Sequence, residues 1–180
     1  VDDYFGARDM QGIARALGAA GAPDTSTERL TSTPKHYAYL KIAEGCDNFC
    51  SYCAIPFIRG RYKSRPMEYI LAEAKKLAEG GVKELIVIAQ DTGRYGMDLY
   101  KEKKLPELLK KLCEIEEIKW VRVHYCYPEE IDDALIKVFR EEEKIVKYMD
   151  IPIQHADDEI LKKMNRKTTG EELRTLINRL

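Results

Sequence analysis

Three cysteines lie within eight residues, in the run Glu44-Gly45-Cys46-Asp47-Asn48-Phe49-Cys50-Ser51-Tyr52-Cys53. Thiolates spaced C-x3-C-x2-C on one short segment can converge on an inorganic centre. Structural zinc normally takes four protein ligands, commonly from paired CxxC units. His36, His124 or His155 would have to complete such a site here. A [4Fe–4S] cluster held by only three cysteines leaves one iron open to a substrate or cofactor. Three unligated thiols at this density are the least expected outcome.

The other two cysteines, Cys113 and Cys126, stand alone, and neither has the spacing to add a ligand. Each reads as a small buried apolar residue. Five cysteines in odd number do not make a disulfide scaffold, and nothing else points to secretion. The formal charge of −1 argues against a general nucleic-acid binder, which would be strongly basic. No apolar run approaches the ~18 residues that span a membrane, and VDDYFG is not a signal peptide. Without an initiator Met, the chain reads as a piece of a longer cytosolic protein.

The elements that must position the cysteines follow a regular order. Residues 7–19 have a helical stripe of Met10, Ile13, Ala14 and Leu17. Residues 20–35, rich in Ser, Thr and Pro, read as a linker. From Tyr37 the chain alternates strand and helix. Strands are expected at Tyr37–Ile42, Glu84–Ala89, Lys119–His124 and Lys147–Ile153. Helices are expected at Pro66–Glu79, Leu105–Cys113, Glu129–Phe139, Asp158–Met164 and Glu171–Leu180, the last opened by a Thr169–Glu172 capping box. Such alternation makes an α/β protein with a parallel sheet. Four strands are too few for a closed eight-stranded barrel.

Side chains alternate between the two faces of a strand. In three of these strands one face is apolar, and the other carries Lys41, Arg122, His124, Asp150 and Gln154. The apolar faces must meet helices, so the polar faces line a lumen. Mutual ion pairing could account for these groups, but five of them on three strands favour a ligand inside. Arg59, Arg61, Lys63 and Arg65 follow the cysteine loop, and read equally as an acidic-ligand contact or a solvated loop. Arg166 and Lys167 could reach the site, although the neighbouring Lys162 and Lys163 suggest a wet helix face.

The cysteine spacing, with the aromatic Tyr52 before the last cysteine, resembles radical S-adenosylmethionine enzymes. AYLKIAEGCDNFCSYCAIPFIRGRYKSRP is similar to their methylthiotransferase branch. ELIVIAQDTGRYG, WVRVHYCYPEEI and YMDIPIQHADDEILKKMNRK are similar to its RimO type, and the likeness covers roughly residues 36–170. The sister MiaB type has Ser-His-Pro where this chain has Tyr127-Pro128, and Gln-Ser-Gly-Ser where it has Gln154-His155-Ala156-Asp157.

The resemblance implies a partial (β/α)6 radical-SAM barrel over residues 36–180, incomplete at the C-terminus. It makes residues 1–35 the tail of an N-terminal domain plus linker. It implies a [4Fe–4S] cluster on Cys46, Cys50 and Cys53, whose open iron chelates S-adenosylmethionine. Tyr52 would lie along the adenine, and Arg122, Gln90 and Gln154 are the expected cofactor contacts. A second [4Fe–4S] cluster belongs to the family's N-terminal domain, and its three cysteines are not in this chain. The implied reaction methylthiolates the β-carbon of an aspartate in the twelfth small-subunit ribosomal protein. It needs an external electron donor, no nucleic acid and no membrane, in the cytoplasm. The alternatives are a transfer-RNA methylthiotransferase of the MiaB type and a non-enzymatic zinc or iron–sulfur module. Gly93, where a Thr is expected, and Asp157, where a Ser is expected, depart from the pattern and put cofactor contacts there in doubt.

Overall fold

A computed structural model of the chain describes residues 4–6, 9–18 and 32–180. The expected linker lies almost wholly outside these residues. Of the expected N-terminal helix, Met10–Ala16 (α1) is described, capped by the Asp9 side chain accepting from Gly12 N–H at 2.8 Å.

Four parallel strands form the main sheet: β1 (Tyr37–Lys41), β4 (Glu84–Ile88), β5 (Trp120–Val123) and β6 (Ile145–Met149), in the order β1-β4-β5-β6. Each strand neighbours the next along the chain. A doubly wound sheet reverses its order at a switch point, whereas a barrel wall does not. The sheet is therefore a barrel-type wall, open among the described residues. A short antiparallel ribbon, β2 (Ala43–Glu44) with β3 (Lys63–Ser64), sits above it.

Strand alternation decides which side the helices cover. Ala38, Leu40, Leu85, Val87, Val121, Val123 and Ile145 are buried. They pack with the apolar stripes of α3 (Met67–Glu79), α4 (Leu105–Cys113) and α5 (Asp133–Glu141) in one core. Removing side chains of this size from water stabilises the fold by about 1.5–3 kcal/mol each. The opposite face carries exposed Tyr39, Lys41 and Trp120 and half-buried Arg122. Arg122 and the apolar partners thus lie on the faces that alternation predicts.

Two boundaries differ from expectation. The run expected to be one helix at Glu129–Phe139 is a 3-10 turn at Pro128–Glu130, an extended Ile131, and then α5, capped by Asp132 accepting from Leu135 N–H at 2.9 Å. The strand expected at Lys147–Ile153 begins at Ile145 and ends at Met149, with a register shift against β5 between Val121 and Val123. Ladder pairing with β5 stops at Met149, although Asp150 O still accepts from Cys126 N–H at 3.0 Å.

Two more helices, α6 (Asp158–Lys163) and α7 (Gly170–Arg179), follow. The Thr169–Glu172 capping box opens α7 as expected. Gly170 is buried, and a Cβ there would lie 2.2 Å from Ala156 O. Backbone cannot yield that distance. Gly170→Ala should therefore cost about 3 kcal/mol of stability by overpacking. Urea unfolding, with exposed Glu171→Ala as the control, checks it; equal midpoints would refute the close packing.

Candidate functional site

The cysteines sit between β2 and α2 (Ile55–Arg59), at the C-terminal end of the parallel strands, where barrel enzymes build their sites. Both the ribbon and α2 were absent from the sequence reading; two-residue strands and a five-residue helix are too short to show a period. Cys46 and Cys50 are 5 % and 6 % exposed, and Cys53 is half-buried. All three line one cavity of about 380 Å³. Tyr52, Ile55, Ala89, Gln90, Tyr125, Tyr127, Pro152 and Gln154 complete its wall.

Of the expected cofactor contacts, Tyr52, Gln90 and Gln154 therefore meet the cysteines in one cavity. Arg122 is not in that wall. It lies lower on the lumen face, its register partner being Ile86, and its Nε donates to Glu84 Oε1 at 2.7 Å. Ion pairing thus accounts for Arg122, with Glu84 rather than Asp150 as the partner. Lys41 is likewise paired, with Glu44 at 2.5 Å.

The cysteine loop is braced from several sides. Asn48 Nδ2 donates to Asp91 Oδ2 at 3.0 Å, and Asn48 N–H points at Cys46 Sγ at 3.5 Å. Asp47 Oδ1 accepts from Tyr62 N–H at 3.1 Å and pairs with Arg61 Nε at 2.7 Å. Arg59 faces Glu44 at 3.8 Å and Arg65 binds Glu73 at 2.7 Å. The basic run after the loop is thus largely tied to the chain's own carboxylates.

Arg166 and Lys167 do reach the site. Arg166 is only 8 % exposed, so the wet helix face ends before it. Its Nη1 lies 3.7 Å from Cys50 Sγ, and its Nη2 donates to Pro152 O at 2.8 Å. Its guanidinium also stands 4.3 Å from the centre of the Tyr127 ring, a cation–π distance. Tyr127 Oη is 3.9 Å from Cys50 Sγ.

Burial pushes the Cys46 thiol up, an effect the Asn48 N–H partly offsets. Burial also raises the Tyr127 phenol, with Cys50 and Cys46 adding to it. Tyr127 thus stands as a neutral phenol beside the thiols. Among the described residues, the buried polar atoms without a partner include Gln90 Oε1, an acceptor, and Arg166 Nε, a donor. Buried polar groups are normally satisfied. Gln90 is in the cavity wall, so a bound group offering a donor there would satisfy its Oε1.

Asp91 lies under the loop and is fully buried. Burial pushes its carboxyl up to about 7, against the Asn48 donor; the Glu130 carboxylate adds to the rise. On unfolding it returns to about 3.8. Between these values the native state holds a proton that the unfolded chain has released. Stability should therefore fall as pH rises from 4 to 7 and level off above, by at most about 4 kcal/mol. Asp91→Asn should remove that slope while its amide oxygen still accepts from Asn48. Denaturant unfolding at pH 5 and pH 8 tests this; an equal slope in both proteins would refute it.

The two departures from the expected pattern have local causes. Asp157 caps α6, accepting from Ile160 N–H at 3.0 Å, a task Ser performs equally well. A Cβ on Gly93 would stand 2.4 Å from Glu130 Cβ, so the 3-10 turn excludes a side chain there.

Comparison with known proteins agrees with this geometry. The radical SAM superfamily profile matches residues 40–180. The ribosomal protein uS12 methylthiotransferase RimO of Lachnoclostridium phytofermentans is 60% identical over 157 residues, 87% of this chain and 36% of that protein. That of Christiangramia forsetii is 51% identical over 177 residues, 98% of this chain and 39% of its own length. The chain thus spans little more than a third of these curated relatives. Among solved structures, the radical S-adenosylmethionine methyltransferase TsrM from Kitasatospora setae, with cobalamin and [4Fe-4S] cluster bound, superposes with a TM-score of 0.64 at 16% identity, over 84% of this chain and 32% of that one. The radical enzyme OxsB, with aqua-cobalamin and S-adenosylmethionine bound, gives 0.62 at 12%, over 81% and 22%. These two likenesses are of fold alone. With its fold, its cysteine loop and the profile match in agreement over most of its length, the chain belongs to the radical SAM superfamily.

Proposed function

We propose that this chain is the radical core of a methylthiotransferase of the RimO type, acting on an aspartate of ribosomal protein uS12. The observation that carries the reading is the meeting of Cys46, Cys50 and Cys53 in one cavity with Tyr52, Gln90 and Gln154. The 60% identity to a RimO relative supports the substrate. In this reading residues 36–180 are the core and residues 1–35 a tail and linker from a preceding domain. Free thiols and the absence, among the described residues, of any helix long and apolar enough to cross a membrane accord with a cytoplasmic setting.

The donor set suits an iron–sulfur cluster: three cysteine thiols line one cavity, and the remaining two cysteines are not in its wall. Cys46, Cys50 and Cys53 would hold the cluster. With S-adenosylmethionine bound, it would pass one electron from an external donor to the sulfonium, whose cleavage gives methionine and a 5′-deoxyadenosyl radical. The chain's own residues bind and orient. Tyr52 offers a ring to a planar base. Gln90 Oε1 is an acceptor for an ammonium group. Ile55, Ala89, Tyr125 and Pro152 give the cavity an aromatic and apolar wall beside the cysteines.

The test gives the full-length enzyme a uS12 peptide and, separately, unmodified transfer RNA, under reducing anaerobic conditions with S-adenosylmethionine. Mass spectrometry should find methylthioaspartate in the peptide. A methylthiolated nucleoside in place of it would assign the chain to the transfer-RNA branch.

A further inference from the structure

The segment Lys163–Lys167, at the end of α6 and just beyond it, grips the cysteine loop from 112 or more residues away in sequence. Ser51 N–H donates to Met164 O at 3.1 Å, and Ser51 Oγ to Lys163 O at 2.9 Å. Asn165 Nδ2 donates to Phe49 O at 2.8 Å, and Lys167 Nζ to Asn48 Oδ1 at 3.4 Å. Phe49 and Asn165 both hold positive φ, 49° and 55°, so the two strained turns meet each other. The grip places a buried guanidinium against Cys50 and nothing comparable against Cys46 or Cys53.

We infer that Arg166 is a positioning residue that fixes Cys50 and raises the reduction potential of the cluster held through it. The inference rests on the cluster reading above. Cluster potentials follow net charge, hydrogen bonds to sulfur and exposure. Arg166 acts on all three: it carries a permanent charge, points Nη1 at Cys50 Sγ, and with Tyr127 shields that sulfur from water. A fixed positive charge stabilises the reduced cluster, which is the more negative form. Anchoring by Pro152 O and the Tyr127 ring keeps the guanidinium from swinging out to solvent.

The experiment reconstitutes the chain anaerobically with iron and sulfide. It compares wild type with Arg166→Gln, Arg166→Lys and Asn165→Ala, reading iron content and EPR signal through a potentiometric titration. At a fixed poise the Gln variant should show a reduced-to-oxidised ratio about tenfold lower, or ~59 mV for a one-electron couple. The Lys variant should recover most of it. A cluster lost with Gln but kept with Lys also supports the role of charge. An unshifted Gln variant overturns the inference. So do equal shifts in Gln and Lys, or loss of iron from both in step with Asn165→Ala, which would leave the segment a scaffold only. A wild-type chain that takes up no cluster overturns the cluster reading itself, and this inference with it.

Discussion

Replacing Cys46, Cys50 or Cys53 with Ala will strip the reconstituted chain of its iron, while Cys113→Ala and Cys126→Ala will keep it. The difference is one of place. The first three line one cavity at the C-terminal end of the sheet. Cys113 packs within α4 on the helix side of the sheet, and burial pushes its thiol up to about 11. Cys126 is 1 % exposed, lies 3.1 Å from Thr92 Oγ1, and burial pushes it up to about 12. Neither of these two sulfurs stands in the wall of that cavity. Each control loses a buried sulfur, at a cost of about 1 kcal/mol, too little to unfold a domain. Iron should fall from about four per chain to near zero in each of the three variants. Formation of 5′-deoxyadenosine should fall below detection with it. Iron loss from Cys126→Ala as complete as from Cys50→Ala would defeat the assignment.

The parts of the site that could be read from the sequence are those written in local spacing. The cysteine triplet is one. The faces of β1 and β5 are another, because alternation alone decides that Arg122 opposes Val121 and Val123. Leu105–Cys113 was legible from its leucine stripe and Pro106 in the first turn. Where spacing fits two registers the sequence misleads. Lys147–Ile153 alternates as well as Ile145–Met149 does, and only the register with β5 sets where the strand begins and ends. The break before α5 had a signal, Asp132 ahead of an apolar stripe, but Glu129 and Glu130 suit a first helical turn equally.

Partners far apart in the chain leave no such pattern. Arg122 could be placed on the lumen face, yet nothing near it in sequence names Glu84, 38 residues away, as its partner. Arg166 is the sharper case. Its neighbours Lys162 and Lys163 read as solvent-facing, and it is buried because the chain turns at Asn165 and lays it on Cys50. A basic residue just past a helix that ends in Lys-Lys carries no local mark of burial. The basic run from Arg59 to Arg65 reads equally as an acidic-ligand contact or a solvated loop, and its arginines pair with Glu44, Asp47 and Glu73 instead.

The same accounting of cysteines bears on what the chain does by itself. Beyond the triplet it has only Cys113 and Cys126, buried on separate elements, so it can hold one cluster and not two. The methylthiotransferase resemblance implies a sulfur supplied from a second cluster in another domain. Cleavage of S-adenosylmethionine depends on the cavity at Cys46, Cys50 and Cys53; delivery of sulfur depends on ligands this chain lacks. The reconstituted 180-residue chain should therefore release 5′-deoxyadenosine under dithionite and leave a uS12 peptide unmodified. The full-length enzyme in the same assay should convert the peptide. Iron counting on the two proteins should separate them as well, at about four against about eight per chain. Methylthioaspartate formed by the short chain alone would show that sulfur reaches the substrate without a second cluster.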